Sequence, residues 1–146
     1  MAFDDVLAAT NISGTGMAAE RLRMEVVANN IANAFSTRSP NGGPFRRQDV
    51  VFAAVLNNKL GGLGRPGSGL GGVEVTDVVE DQSEFIRVHE PGHPDADADG
   101  MVSYPNVHLE VEMTNLITAS RAYEANVNAA KTQQRMMEQS LALIRA

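Results

Sequence analysis

The sequence predicts a mainly α-helical fold with a small β module: long N- and C-terminal helices that pair as a coiled coil, with a short, β-rich insertion between them. Two observations predict this fold. Both ends lack proline and are rich in alanine, asparagine and methionine, whereas the middle is rich in glycine, proline and aspartate. Aromatic residues make up only 5% of the 146 residues, which is little for the bulky core of a small enzyme. We therefore expect helices that bury themselves against neighbours.

The N-terminal segment, residues 1–35, holds the first predicted helix, over residues 5 to about 34. Its apolar side chains fall on two nearly opposite faces. These are Met17, Met24, Ala28 and Ile31 on one face, and Ala19, Leu22 and Val26 on the other. Gly14 and Gly16 each weaken a helix interior by about 1 kcal/mol relative to alanine. We expect this helix to fray, or to form only when it is packed.

Residues 36–105 are predicted to form a small β-rich module. Four short runs rich in β-branched and aromatic residues are typical of strands. They are Asp49–Leu56, Gly72–Val79, Phe85–His89 and Met101–Tyr104. Between the first two runs, Gly61–Gly72 contains seven glycines in twelve residues and is predicted to be a flexible loop.

The C-terminal segment, residues 106–146, carries the strongest pattern, a helix over about 107–145 with Asn106 as its N-cap. Eleven positions spaced alternately four and three apart predict a coiled-coil seam. They are Leu109, Met113, Leu116, Ser120, Tyr123, Val127, Ala130, Gln134, Met137, Leu141 and Ile144. A second stripe, well over 100° round the helix, consists of Ala122, Ala125, Ala129, Met136 and Leu143. Two stripes need two neighbours, so we expect packing between copies; the two terminal helices together form one domain.

Two short motifs resemble ligand sites but lack the surroundings that such sites need. The G-x-G-x-x-G run within Gly67–Gly72 is followed by an acidic, strand-like segment, whereas a dinucleotide needs a helix N-terminus. Asp95, Asp97 and Asp99 resemble the opening of a calcium loop, but the twelfth position is Asn106 instead of glutamate. An Asx-rich turn between strands is the favoured interpretation, and weak calcium binding stays open.

The remaining reactive side chains do not form a catalytic set. His89 and His93 are separated by Pro91 and Gly92, and His108 has no partner at ligand spacing. The chain has no cysteine. With no nucleophile, base and orienting group in view, we expect no catalytic residue, no cofactor and no metal.

Charge and hydropathy limit the partners. The net charge of -6 argues against a nucleic acid. No stretch approaches the roughly 18 apolar residues of a membrane span, so direct membrane insertion is not expected. The acidic start predicts no cleaved signal peptide.

The role of two charged stretches is left open by the sequence. Residues 74–99 contain nine acidic side chains and one arginine, Arg87, and form either a surface for a basic partner or a solvated face. Arg46 and Arg47 lie in a polar turn that is too short for nucleic acid, which leaves a role in subunit contacts open.

Two segments resemble the signatures of flagellar rod and hook proteins. Ala28–Ala34 (ANNIANA) is similar to their asparagine-rich N-terminal signature, and Glu112–Ile117 with Arg121–Asn126 is similar to their C-terminal one. Gly43–Arg47, and residues within His93–Val107, resemble the two junctions of the proximal rod members of this family, which also have a short middle.

The resemblance implies a structural subunit of the proximal rod of the bacterial flagellar basal body, in its periplasmic span. It implies that the terminal helices polymerise into an axial drive-shaft tube that transmits torque and encloses the export channel. Copies of itself, other flagellar rod proteins and the flagellar type III export apparatus would be the partners. The predicted assembly interface consists of Met17, Met24, Ala28, Asn29, Asn30, Ile31, Asn33, Leu116, Tyr123, Val127, Ala130, Met137, Leu141 and Ile144.

Alternatives remain at this point. The amides of Asn29, Asn30 and Asn33 can pair with one another or with nearby backbone, or one of them can cap the helix C-terminus. For function, the alternative is a soluble coiled-coil adaptor or secretion chaperone folded as a helical hairpin. A small hydrolase or calcium-binding module is a third class.

Overall fold

The computed structural model describes residues 2–40, 42–56 and 70–145, with side chains omitted at 2–7, 56, 70 and 143–145. Six elements follow one another along the chain. They are helix α1 (Ala2–Ala32), strands β1 (Gln48–Leu56), β2 (Leu70–Glu80), β3 (Ile86–His89) and β4 (Met101–Tyr104), and helix α2 (Leu109–Arg145). Two terminal helices with a small β module between them are therefore confirmed.

The element bounds differ from the predicted ones in a few places. Helix α1 begins at Ala2 and continues without a break through Gly14 and Gly16. Strand β2 already begins at Leu70, so the loop prediction is wrong for residues 70–72, and the rest of the predicted loop lies outside the described residues.

The β module consists of two two-stranded sheets, one formed by β1 and β2 and the other by β3 and β4. In the second, the strands are antiparallel, with Ile86 opposite Tyr104 and His89 opposite Met101. Every residue of β3 is exposed, whereas Val102 in β4 is fully buried. The hairpin therefore packs through β4.

The chain divides into two compact units, each with parts of both helices and of the module. The end unit comprises the described residues of Met1–Leu22, Val51–Asp77 and Ala119–Ala146. The junction unit comprises those of Arg23–Val50 and Val78–Thr118.

Small apolar side chains and a few polar ones form the core of the junction unit. The buried apolar residues are Val26, Val27, Ala34, Val50, Val102 and Val107. Asn30, Asn106 and Glu112 are buried with them, at 0%, 4% and 0% exposure. Such groups are tolerated inside a protein only when they are hydrogen-bonded, so their partners define this unit.

In the end unit the packing is close because the contacting residues are small. Ala19 and Ala119 are buried, and a Cβ added at Gly16 would lie 3.0 Å from the side-chain amide of Asn126. Gly72, at φ +116°, leaves no room for a Cβ beside the Thr15 hydroxyl, which accepts a hydrogen bond from the Val73 amide at 3.2 Å. In this unit, strand β2 and the two helix segments are thus packed so closely that no Cβ would fit at Gly16 or Gly72 without a shift of its neighbours.

The residues of α2 that are most buried within the subunit are not those of the predicted seam but a neighbouring row. Glu112 and Ala119 have no exposed surface, and Asn126 and Gln133 continue this row, half-buried, at seven-residue intervals. Leu116, Tyr123, Val127, Ala130 and Met137 of the seam are half-buried, whereas Met113, Gln134 and Leu141 are exposed in the subunit, so the coiled-coil seam stays a prediction. A search for heptad repeats finds large apolar residues, whereas the buried face of α2 consists of small and polar residues that let the neighbouring elements approach closely.

Candidate functional site

The asparagine-rich end of α1 is joined to the start of β1 by the side chain of Asn30. Its amide group donates to the Gln48 carbonyl at 2.8 Å and to a Glu112 carboxylate oxygen at 3.0 Å. Its carbonyl oxygen accepts from the Gln48 amide at 3.0 Å. One buried amide therefore uses both its donor and acceptor sides to fix the backbone of the module against the helix.

Glu112, in the first turn of α2, is a fully buried carboxylate. Its two oxygens accept from Asn30 and from Nε of Arg47, the latter at 2.9 Å. Burial opposes the charge of Arg47, but its hydrogen bonds and charge attraction to Glu112 and Asp49 raise the pKa of the guanidinium. Because a buried charge needs a partner, Glu112 and Arg47 hold each other in place.

A second side-chain amide, that of Asn106 just after β4, bonds to the backbone of Arg47 and to Ser83. Its oxygen accepts from the Arg47 backbone amide at 2.9 Å, and its nitrogen donates to the Ser83 hydroxyl at 2.8 Å. The prediction that Asn106 caps α2 is wrong, because the side chain is used in this junction. The His108 carbonyl, instead, accepts from the amides of Val111 and Glu112 and begins the helix.

Arg46 makes a parallel connection on the outside of this cluster. Its guanidinium donates to the carbonyls of Asp81 and Ser83 at 2.9 and 3.2 Å and lies 4.4 Å from the centre of the Phe85 ring. Both arginines that the sequence left without a role therefore bind segments of their own chain. We name the set Asn30, Arg47, Asn106 and Glu112 the polar junction.

The other two signature asparagines pair with each other. The Asn33 side-chain amide donates to the side-chain oxygen of Asn29 at 2.8 Å and to its carbonyl at 2.9 Å. Asn33 in turn accepts from the Ser36 hydroxyl at 3.1 Å. The prediction that these amides satisfy one another or nearby backbone is confirmed, and they form a local brace where α1 ends.

The aspartate run between β3 and β4 forms an Asx turn, as the sequence favoured. One oxygen of Asp97 accepts from the amides of Asp99 and Met101, at 3.0 and 2.9 Å, and the other pairs with Arg87. Asp95 accepts from the Thr37 hydroxyl, which lowers the pKa of its carboxyl. These carboxylates serve the turn and its neighbours.

The predicted assembly residues separate into two sets. Asn30 is buried in the polar junction, the exposed Asn29 and the half-buried Asn33 form the local brace, and Ala28 and Leu141 are exposed. Met24, Ile31, Leu116 and Tyr123 are half-buried, and the side chain of Ile144 lies outside the described residues.

The second set lines an open groove in the end unit. Met17 of α1 faces Val127, Ala130 and Met137 of α2 across about 350 Å³, with Thr10, Lys131 and Gln134 completing the lining. The four are only half-buried within the subunit. We name this space the helix groove.

The second stripe of α2 lies mostly on the surface. Ala125 and Ala129 are exposed, Met136 is 49% exposed, and Ala122 is half-buried. The side chain of Leu143 lies outside the described residues. In the subunit this stripe therefore has no complete cover.

Sequence reasoning missed the roles of Arg47, Glu112 and Asn106. All three lie inside motifs that the sequence had singled out, but their partners are up to 82 positions away along the chain. Among the described residues no group of three or more His, Asp or Glu side chains is arranged to hold a metal ion. In that part of the chain neither helix has a stretch apolar enough to cross a membrane.

Comparisons with known proteins match a segment towards each end and, in full-length relatives, most of the chain. The family "Flagella basal body rod protein" matches residues 11–38, and "Flagellar basal body rod FlgEFG protein C-terminal" matches residues 98–143. Proteins described as "Flagellar basal-body rod protein FlgC" are similar over nearly the full length. The one from Escherichia coli O157:H7 is 42% identical over 91% of this chain and 93% of its own. The one from Borreliella burgdorferi is 40% identical over 92% and 94%, and the one from Bacillus subtilis 39% over 90% and 93%.

Proposed function

Because this chain belongs to the FlgC family of flagellar basal-body rod proteins, we propose that its terminal helices polymerise, with a helix of a neighbouring subunit filling the helix groove. The chain is a structural subunit of the flagellar basal-body rod, as the sequence predicted.

The observation that carries the proposal is the helix groove itself. Met17, Val127, Ala130 and Met137 present apolar surface to solvent across about 350 Å³. The hydrophobic gain is about 25 cal/mol for each Å² removed from water, so a packed helix would stabilise both partners. The exposed Ala129 and Met136 offer a second contact on the same helix, which is what a subunit with neighbours on two sides requires.

The coiled-coil pairing of the terminal helices belongs to this proposal. Helices of successive subunits, packed in this way, form the axial tube that transmits torque and encloses the export channel. The proximal position in the rod, the periplasmic location, the absence of a cleaved signal peptide and passage through the type III export apparatus follow from the family resemblance and stay predictions. The role proposed is structural, with no catalytic step.

Filling the groove tests the proposal without weakening the subunit. Ala130→Phe places a ring in space that the subunit leaves open, so the purified variant should be at least as stable as the wild type. In a strain that lacks the wild-type gene, we expect this variant to be produced but to support few or no filaments, counted by electron microscopy. Ala130→Ser, which keeps the side chain small, should support normal numbers. Normal filament numbers with Ala130→Phe would refute the role of the groove.

A further inference from the structure

The net negative charge of the chain comes from one of its two units. The junction unit contains eleven acidic and five basic side chains, whereas the end unit contains seven of each. The whole net charge of -6 therefore belongs to the junction unit. Within the end unit, the α2 segment from Ala119 onward has four basic and two acidic side chains. An acidic unit and a basic helix segment are thus present on one chain.

The junction unit presents an apolar groove of about 380 Å³ with acidic side chains at its rim. Phe35, just after α1, is 71% exposed, and Ile86 and Val88 of β3 are each 37% exposed beside it. Glu90 and Glu110 line the same groove. The Glu90 carboxylate accepts from the Tyr104 hydroxyl at 3.0 Å, whereas the Glu110 carboxylate has no partner among the described residues. We name this the acceptor groove.

The basic part of α2 presents a complementary face. At about 100° per residue, Arg121, Ala125, Arg135 and Met136 fall within an arc of about 100°, and all four are exposed. The two arginine side chains have no hydrogen bond or ion pair within the described part of the chain. The side chain of Met136 is long, flexible and apolar, which suits an irregular groove. We name this the donor face.

Glu110 and Arg135 of one copy cannot meet. Glu110 and Arg135 belong to the same continuous helix. Because an α-helix rises 1.5 Å per residue, their separation of 25 positions corresponds to about 37 Å along the helix axis. A contact between Arg135 and Glu110 therefore joins two different copies.

We propose that the acceptor groove of one subunit receives the donor face of a second copy of the chain, with Met136 against Phe35 and Arg135 beside Glu110. This contact rests on the proposed rod function and specifies which surfaces the subunits use. It is heterologous, since the two surfaces differ, and such contacts generate rings or open helices instead of closed dimers. Opposite charges favour the contact between a donor face and an acceptor groove over a contact between two donor faces or between two acceptor grooves.

Charge reversal tests the proposal in assembled flagella. Glu110→Arg alone and Arg135→Glu alone each place like charges together, and we expect each to reduce the number of filaments at least severalfold. The double variant restores opposite charges in every contact and should recover most filaments. Glu110→Arg also loses an acidic residue near the N-terminus of α2, but the double variant shares that loss, so recovery cannot come from subunit stability.

Disulfide cross-linking identifies the partner. The chain has no cysteine, so Phe35→Cys and Met136→Cys can be placed in separate copies that are expressed together. Isolated, oxidised basal bodies should then contain a covalent dimer of twice the subunit mass, absent when either variant is expressed alone. Pairing Phe35→Cys with Lys131→Cys, which lies about 140° round the helix from Met136, should give far less dimer.

The results separate this inference from the proposed function. Filaments that assemble without the cross-link, or a Phe35→Cys cross-link to a protein of another mass, would overturn the second copy as occupant. Failure of the double charge reversal to restore filaments would do the same. If instead Ala130→Phe assembled normally while the cross-link formed, the helix groove would be refuted and the acceptor groove retained.

Discussion

Replacing Asn30 by alanine should destabilise the subunit far more than replacing its neighbour Asn29. Asn30 has no exposed surface, and its three hydrogen bonds, of 2.8, 3.0 and 3.0 Å, hold both backbone groups of Gln48 and one oxygen of Glu112. Each such bond contributes about 1 kcal/mol net, and a buried group left unpaired costs about 1–3 kcal/mol. We therefore expect Asn30→Ala to lower the free energy of unfolding by roughly 3–5 kcal/mol.

The matched control is Asn29→Ala, because Asn29 is exposed and its side chain only accepts from Asn33. Its cost should stay within about 0.5 kcal/mol, as for most surface substitutions. Urea unfolding of both purified variants, followed by circular dichroism, measures the difference. Even one lost hydrogen bond that leaves a buried partner unpaired should cost more than about 1 kcal/mol. If the losses in free energy of unfolding for Asn30→Ala and Asn29→Ala differed by less than this, the polar junction would not be what holds the module to the helices.

Gly14→Ala, where an added Cβ meets nothing within 4 Å, should raise the free energy of unfolding by about 0.5–1 kcal/mol through helix propensity alone. Gly16→Ala should gain none of this, because its Cβ would lie 3.0 Å from the Asn126 amide; equal gains in thermal unfolding would contradict the close packing. Hydrogen bonds from the Met101 and Asp99 amides and the charge of Arg87 lower the pKa of Asp97 below its ordinary 3.8. The ionised Asp97 therefore stabilises the fold fully above pH 3.8, and this stabilisation is lost as the pH falls through the lower native pKa. Asp97→Asn should thus lose less of its free energy of unfolding on acidification than the wild type. An unchanged slope of the free energy of unfolding against pH would refute this.

The helical ends and the four strands could be predicted because each has a local pattern. Strand β4 was predicted with its observed bounds, Met101–Tyr104, since a short β-branched run between a turn and a proline has few alternatives. The Asx turn at Asp97 was likewise predictable from neighbouring residues. Such features depend on residues only a few positions apart.

The polar junction could not be predicted in the same way. The bond between Asn30 and Glu112 joins residues 82 positions apart, and no periodicity shows which amide meets which carboxylate. The row of α2 that is most buried within the subunit was missed for a related reason. A row that includes Ala119 and Asn126 looks weak by hydropathy, yet small residues are what permit two helices to approach closely.

Solvent protection of the helix groove tests the central claim, that the subunit assembles through its terminal helices, most directly. The chain has no cysteine, so a single Met137→Cys reports on one wall of the groove through its rate of maleimide labelling. In the purified subunit this half-buried site should label readily. In intact basal bodies, labelling should slow at least tenfold and recover when the rods are dissociated in acid and returned to neutral pH. Equal labelling of the free subunit and the intact rod would contradict the account.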